Sequence, residues 1–159
     1  LAAMGADIKV LDIVQSGGEL SGDLQVRKSR IRGGVLEGEM AAALIDEIPV
    51  LSVLGAISED GLKVRDAAEL RVKETDRIAT IAENFRRMGV AIEVLPDGFN
   101  IPGRQKFHAA EVDSFGDHRI GMAFAVAALA AEGETVVENA EAASVSFPGF
   151  YDLLRSLAA

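Results

Sequence analysis

Two segments of the sequence, Ile48 to Ile57 (IPVLSVLGAI) and Ile120 to Ala131 (IGMAFAVAALAA), carry apolar or small side chains on nearly every face of a helix. A surface helix shows an apolar stripe and a polar back, so a helix without a polar back must be covered from every side. Neither segment reaches the ~20 apolar residues that a membrane span needs. No basic, apolar, small-residue leader opens the chain either. The cover must therefore come from the chain itself, which points to an α/β fold with helices inside and sheets outside. A hydrophobic content of 49% in 159 residues is ample for such a core. The chain is expected to be soluble.

The sequence also repeats. MGADIKVL at Met4 to Leu11 returns as MGVAIEVL at Met88 to Leu95. Downstream, Ile45 to Ala67 parallels Gly116 to Ala140 in order rather than in letter: an acidic start, an apolar helix, a glycine and an alternating strand. Each unit reads as a helix ending at Met-Gly, a strand, a hairpin-like stretch, a second helix, and a strand such as LKVRDA or TVVENA. The units span roughly 6–88 and 89–159. Between them, Ile78, Ile81, Ala82, Phe85 and Met88 fall at helical spacing, with Glu83, Asn84, Arg86 and Arg87 on the other face. A final helix is expected at Phe150 to Leu157.

Four helix starts carry a capping residue: Asp46, Thr75, Asp117 and Ser146. If the units fold alike, these starts converge and assemble one cationic, amide-rich pocket. RVKETDRI, Arg71 to Ile78, packs five charges into eight positions at such a start. Asp76 suits the positive end of the helix dipole, but Lys73 and Arg77 oppose it at a few tenths to ~1 kcal/mol each unless an anion sits among them. Arg119, after Asp117 and His118, repeats the anomaly. Two guanidinium forks can hold a small dianion bidentately; the plainer alternative is a pair of ordinary salt bridges. Asp46 and Glu74 are the candidate carboxylates for proton transfer. Lys73 and Glu74 are adjacent, so their side chains diverge. His118, in a first helical turn, is available as a hydrogen-bond donor or acceptor, with a structural hydrogen bond as the plainer alternative.

Composition removes several alternatives. There is no cysteine, hence no disulfide, thiolate metal site or Cys nucleophile, and two histidines, His108 and His118, make a poor metal inventory. No metal and no organic cofactor is expected. A net charge of −9 argues against a nucleic-acid surface, so any anion site must be local. Phosphate-loop, dinucleotide and nucleophile-elbow motifs are missing from the sequence.

LRVKETDRI at Leu70 to Ile78, with FGDHRIGMAFAVAAL at Phe115 to Leu129, resembles the C-terminal part of the 5-enolpyruvylshikimate-3-phosphate synthase family. The resemblance extends from the MGADI opening through LIDEIP, DAAELRVKETDR and DSFGDHR to SFPGF. It implies transfer of the enolpyruvyl group of phosphoenolpyruvate to the 5-hydroxyl of shikimate 3-phosphate, without a cofactor, in the cytoplasm. The implied fold is two domains of three βαβαββ units each, of which about two units are present here. Carried over residue by residue, Arg77 and Arg119 become phosphoenolpyruvate ligands, lined by Asp117 and His118. Asp46 takes the 5-hydroxyl proton, Glu74 serves the phosphoenolpyruvate methylene, and Lys73 contacts the hydroxyl or the enolpyruvyl phosphate.

The chain departs from the family pattern at Val145, where many members have a lysine, and Arg155 is its sole cation after Arg119. It opens at Leu1 without an initiator Met, so it is expected to be cut from a longer protein, with the N-terminal domain and its shikimate 3-phosphate site elsewhere. Alone it is expected to be inactive. Alternative readings are a UDP-N-acetylglucosamine enolpyruvyl transferase, which lacks this charged segment, and RNA 3′-phosphate cyclase, which would want basic strips. A non-catalytic phosphate-binding or assembly module of the same fold is a third.

Overall fold

The computed structural model describes residues 1–158; Ala159, the last residue of the second unit, lies outside the described residues. A 3₁₀ turn at Ala2–Met4 leads into a long hairpin, β1 (Asp7–Ser16) and β2 (Glu19–Arg27). Gly17 and Gly18, both at positive φ, make its turn. The strand β3 (Gly34–Leu36) crosses through the short helix α1 (Gly38–Ala43) and α2 (Ile48–Ile57) to β4 (Leu62–Val64), which lies parallel to it. A 3₁₀ turn at Ala68–Val72 and helix α3 (Arg77–Arg87) end the first unit.

The second unit runs in the same order. Its hairpin is β5 (Glu93–Leu95) and β6 (Gly98–Ile101), followed by β7 (Phe107–His108) and β8 (Glu111–Asp113). Helix α4 (His118–Ala128) crosses to β9 (Ala131–Glu132) and β10 (Val136–Glu138), the latter parallel to β8. A 3₁₀ turn at Ala140–Val145 and α5 (Phe150–Ala158) close it. The two units are joined by a strand pairing: β6 lies antiparallel on β4, giving one sheet of order β3-β4-β6-β5.

This is the α/β arrangement with helices inside and sheets outside. Ile48, Val53 and Ala56 of α2 and Ile120, Ala123, Phe124 and Ala127 of α4 are buried in one core with Leu62 and Val64 of β4 and Phe99 of β6. Gly55 permits the close approach of α2 to β4, since a Cβ there would stand 2.4 Å from that of Leu62. The expected cover is incomplete on α2, where Val50 and Ile57 are exposed. The second apolar helix also ends earlier than the expected Ala131. Leu129 and Ala130 close i to i−3 turns, and Ala131 leaves to pair with Phe107 in β9–β7. A run of alanines carries no stop signal, so the pairing of β9 sets the end.

Helix α3 buries Ile78, Ile81, Ala82 and Phe85 as its spacing predicts, with Met88 beyond its end. Asn84, expected on the polar face, is buried instead: its amide donates to the Asp113 carbonyl and accepts from the Asp113 N–H, so it clasps β8. Phe85 meets Phe124 of α4 edge-on at 5.1 Å, which ties the two units together. No helix among the described residues is long and apolar enough to cross a membrane.

Candidate functional site

The starts of α2, α3 and α4 converge, and they bring together Asp46, Glu74, Arg77, Asp117 and Arg119. Arg77 opens α3 with its side chain 1% exposed. Its Nε donates to Asp117 Oδ2 at 2.7 Å, Nη1 to Asp46 Oδ1 at 2.9 Å, and Nη2 to Glu74 Oε2 at 2.6 Å. Burial would lower the Arg77 pKa, but the hydrogen bonds and charges of Asp117, Asp46 and Glu74 outweigh it and hold the guanidinium above its ordinary value. Asp117 is wholly buried. Its Oδ1 also caps α4 by accepting from the Arg119 N–H at 2.9 Å, as expected of it. The left-handed pair Phe115 and Gly116 turns the chain from β8 into that cap.

Arg119 points the other way along the same cluster and is 32% exposed. Its Nη1 donates to the Asp46 carbonyl at 3.0 Å, its Nη2 stands 3.3 Å from Asp46 Oδ2, and Glu47 Oε1 lies 3.7 Å from Nη1. Asp46 is therefore shared by both arginines. Burial raises its pKa, but the Arg77 hydrogen bond and the charges of Arg119, Arg77 and Lys73 win and hold the carboxyl below its ordinary range. Beside Arg119, a cavity of about 200 Å³ opens between α2, α4 and Phe150 of α5, with apolar walls at Pro49, Val50, Met122 and Val126. Three helix starts and Phe150, the first residue of α5, thus border one region, whereas Ser146, expected to cap that last helix, instead ends the 3₁₀ turn before it.

Several expectations are corrected by this geometry. Asp46 does not cap α2. The turn through Leu44 and Glu47 moves the N-cap to Glu47, which makes no side-chain cap bond. Pro49 removes one of the donors a cap would serve, and two guanidiniums are stronger partners for the Asp46 carboxylate than an amide. Thr75 does not cap α3 either. Asp76 does so through Ala79 N–H, while the Thr75 hydroxyl donates to Asp117 Oδ2 at 3.3 Å.

The pocket is also not cationic. Among the described residues, Asp46, Glu47, Glu74 and Asp117 pair with Arg77 and Arg119, so carboxylates outnumber guanidiniums. Lys73 adds nothing net, because its ammonium is bound to Glu69, whose hydrogen bond raises its pKa. Lys73 and Glu74 diverge as their adjacency requires. His118 begins α4, half-buried, and makes no hydrogen bond to the cluster among the described residues. Val145 is exposed, and Arg155 pairs with Asp152 on α5, so neither reaches the site.

Sequence reasoning missed two members. Glu47 was legible only as a neighbour of Asp46. Arg71 was read as part of a charge run, whereas it ties Asp76 to the carbonyls of Leu95 and Pro96 at 2.7 Å each, clamping the charged segment to the β5–β6 turn. No local pattern marks a partner that lies across the repeat.

This chain is similar to 3-phosphoshikimate 1-carboxyvinyltransferases. It is 62% identical over 158 residues to the one from Solibacter usitatus (strain Ellin6076) and 48% identical over 157 residues to the one from Koribacter versatilis (strain Ellin345). Each alignment covers 99% of this chain and 37% of the relative, so the chain spans little more than a third of the curated relatives it matches. A solved structure of EPSP synthase from Acinetobacter baumannii superposes with a TM-score of 0.91 at 34% identity, over 99% of this chain and 37% of that one. The family model of EPSP synthase (3-phosphoshikimate 1-carboxyvinyltransferase) matches residues 1–154, and the chain belongs to that family.

Proposed function

We propose that this chain is the part of a 3-phosphoshikimate 1-carboxyvinyltransferase that receives the phosphoenolpyruvate anion and carries its proton-transfer groups. In the reaction the 5-hydroxyl oxygen of shikimate 3-phosphate adds to the enolpyruvyl carbon while the methylene gains a proton. Loss of that proton and of phosphate then restores the double bond. Arg77 and Arg119 hold the anion. Asp46, shared between them, accepts the hydroxyl proton, and Glu74 gives and takes the methylene proton. Lys73 contacts the hydroxyl or the enolpyruvyl phosphate once it leaves Glu69, and Asp117 and His118 line the site.

The observation that carries this reading is the convergence of two guanidiniums and two half-exposed carboxylates, Asp46 and Glu74, at three helix starts within hydrogen-bond distance of one another. Carboxylates so placed can act on a substrate that the guanidiniums orient. The shikimate 3-phosphate site belongs to an N-terminal domain of the same cytoplasmic enzyme, so the 159 residues alone should show no turnover. The test is Arg119→Ala in a full-length enzyme carrying this segment. Losing a charge-assisted bidentate contact worth ~2–5 kcal/mol should raise the KM for phosphoenolpyruvate far more than that for shikimate 3-phosphate. Equal changes in both would refute the assignment.

A further inference from the structure

An anion entering this cluster meets a local surplus of negative charge. Asp46, Glu47, Glu74 and Asp117 already exceed Arg77 and Arg119, and a further anion among them would be repelled unless a carboxylate gave way. The four are not held equally. Asp117 is wholly buried and spends its oxygens on Arg77, the Thr75 hydroxyl and the α4 cap. Asp46 is bridged by both arginines. Glu47 stands 3.7 Å from Arg119 and blocks no guanidinium of Arg77. Among the described residues Glu74 has one partner, Arg77 Nη2, and its side chain is 50% exposed. It is the closer of the two acceptors on Nη2, at 2.6 Å, while Asp117 Oδ1 stands at 3.4 Å.

We propose that an incoming anion takes the place of Glu74 on Arg77 Nη2, and that the displaced Glu74 takes up one proton from solvent as the anion binds. The inference rests on the anion-site reading above. Once off Arg77, Glu74 loses the cation that binds it and faces a set of like charges. The flank of the site ahead of α2 supplies Asp46 and Glu47. The 3₁₀ turn and the loop after it supply Lys73, neutralised by Glu69, and Arg71, neutralised by Asp76. From α4 come Asp117, already bound to Arg77, His118 and Arg119, and Arg119 would be engaged by the anion. Removing a partner cation and adding a neighbouring anion both disfavour the charged carboxylate. No covalent bond changes in this step; one proton passes from buffer to Glu74. The consequence is that substrate binding itself loads the acid that the methylene requires.

Sulfate is the probe, because it keeps its two charges across neutral pH. It would be titrated calorimetrically into the 159-residue chain in two buffers of different ionisation heat. The expected result is uptake approaching one proton per sulfate, with affinity falling roughly tenfold per pH unit as pH rises. Glu74→Gln, at a half-exposed position that a neutral amide can occupy without refolding, should bind sulfate with no proton uptake and a flat pH profile. Sulfate binding that Arg119→Ala abolishes but that takes up no proton would overturn the exchange and leave the anion site standing. Uptake that persists in Glu74→Gln would also overturn it, by assigning the proton to another group. Binding at no pH, or binding indifferent to Arg77→Met and Arg119→Ala, would remove the anion-site reading itself.

Discussion

Arg77 and Arg119 are the same residue type, each at the start of a helix and each against Asp46, yet the chain treats them oppositely. Arg77 is sealed in with Asp117 and compensated on three sides, whereas Arg119 keeps about a third of its side chain open and holds its carboxylates at 3.3 and 3.7 Å. A buried charge must have its partners in place before the fold closes, because desolvation without pairing costs several kcal/mol. An exposed one can change partners cheaply. The difference fits the proposal that Arg77 is a scaffold with one exchangeable corner, at Glu74, and that Arg119 is the arm that reorients toward a ligand.

The largest effect should come from breaking that asymmetry. Arg77→Met strands Asp117 in the core and should cost about 3–5 kcal/mol in denaturant unfolding of this chain. Arg119→Met should stay within about 1 kcal/mol. Equal losses would erase the distinction between them. Next in size, Glu74→Gln in the full-length enzyme should lower turnover by roughly 100-fold or more with little change in phosphoenolpyruvate affinity at low pH, since acid–base groups act mainly in the transition state. Turnover within a few-fold of the parent would reduce Glu74 to a counter-ion of Arg77.

The smallest effect concerns Asp46, on which both arginines draw. Its carboxyl is held below the ordinary value of 3.8, so its contribution to stability is fully present above that pH and is lost as pH falls through the lower folded-state value. The acid limb of wild-type unfolding should therefore be steeper below pH 3.8 than that of Asp46→Asn. Identical limbs would mean that Asp46 is not gripped as the geometry indicates.

Much of this was legible because local rules govern it. The apolar segment at Ile48 predicted α2 to the residue, the spacing of Ile78, Ile81 and Phe85 gave the buried face of α3, and Asp117 caps α4 as its position requires. What stayed hidden depends on partners distant in sequence. Asp46 looked like a cap because a carboxylate before Glu-Ile-Pro usually is one; only the approach of α3 and α4 supplies the guanidiniums that draw it away. Asn84 looked solvent-facing because nothing local says that an edge of β8 waits beside it. The charged segment read as cationic because its compensating residues, Asp46 and Asp117, come from other helix starts.

The two hairpins show the same dependence. β5–β6 is buried at Phe99 and Ile101 because β6 pairs with β4, while the corresponding β1–β2 leaves Val10, Leu20, Leu24 and Val26 exposed. Alternation along a strand fixes which residues share a face, not whether another strand will cover it.

The most direct test of the central claim is a titration of phosphoenolpyruvate into the 159-residue chain, followed through the Nε–H resonances of its arginines by NMR. The account predicts that the Arg119 signal moves furthest, that Arg77 moves with it, and that Arg86, Arg104 and Arg155 stay still, with the Arg77 shift altered in Glu74→Gln. Shifts spread evenly over the exposed arginines, or none at Arg77 and Arg119 at saturating ligand, would contradict it.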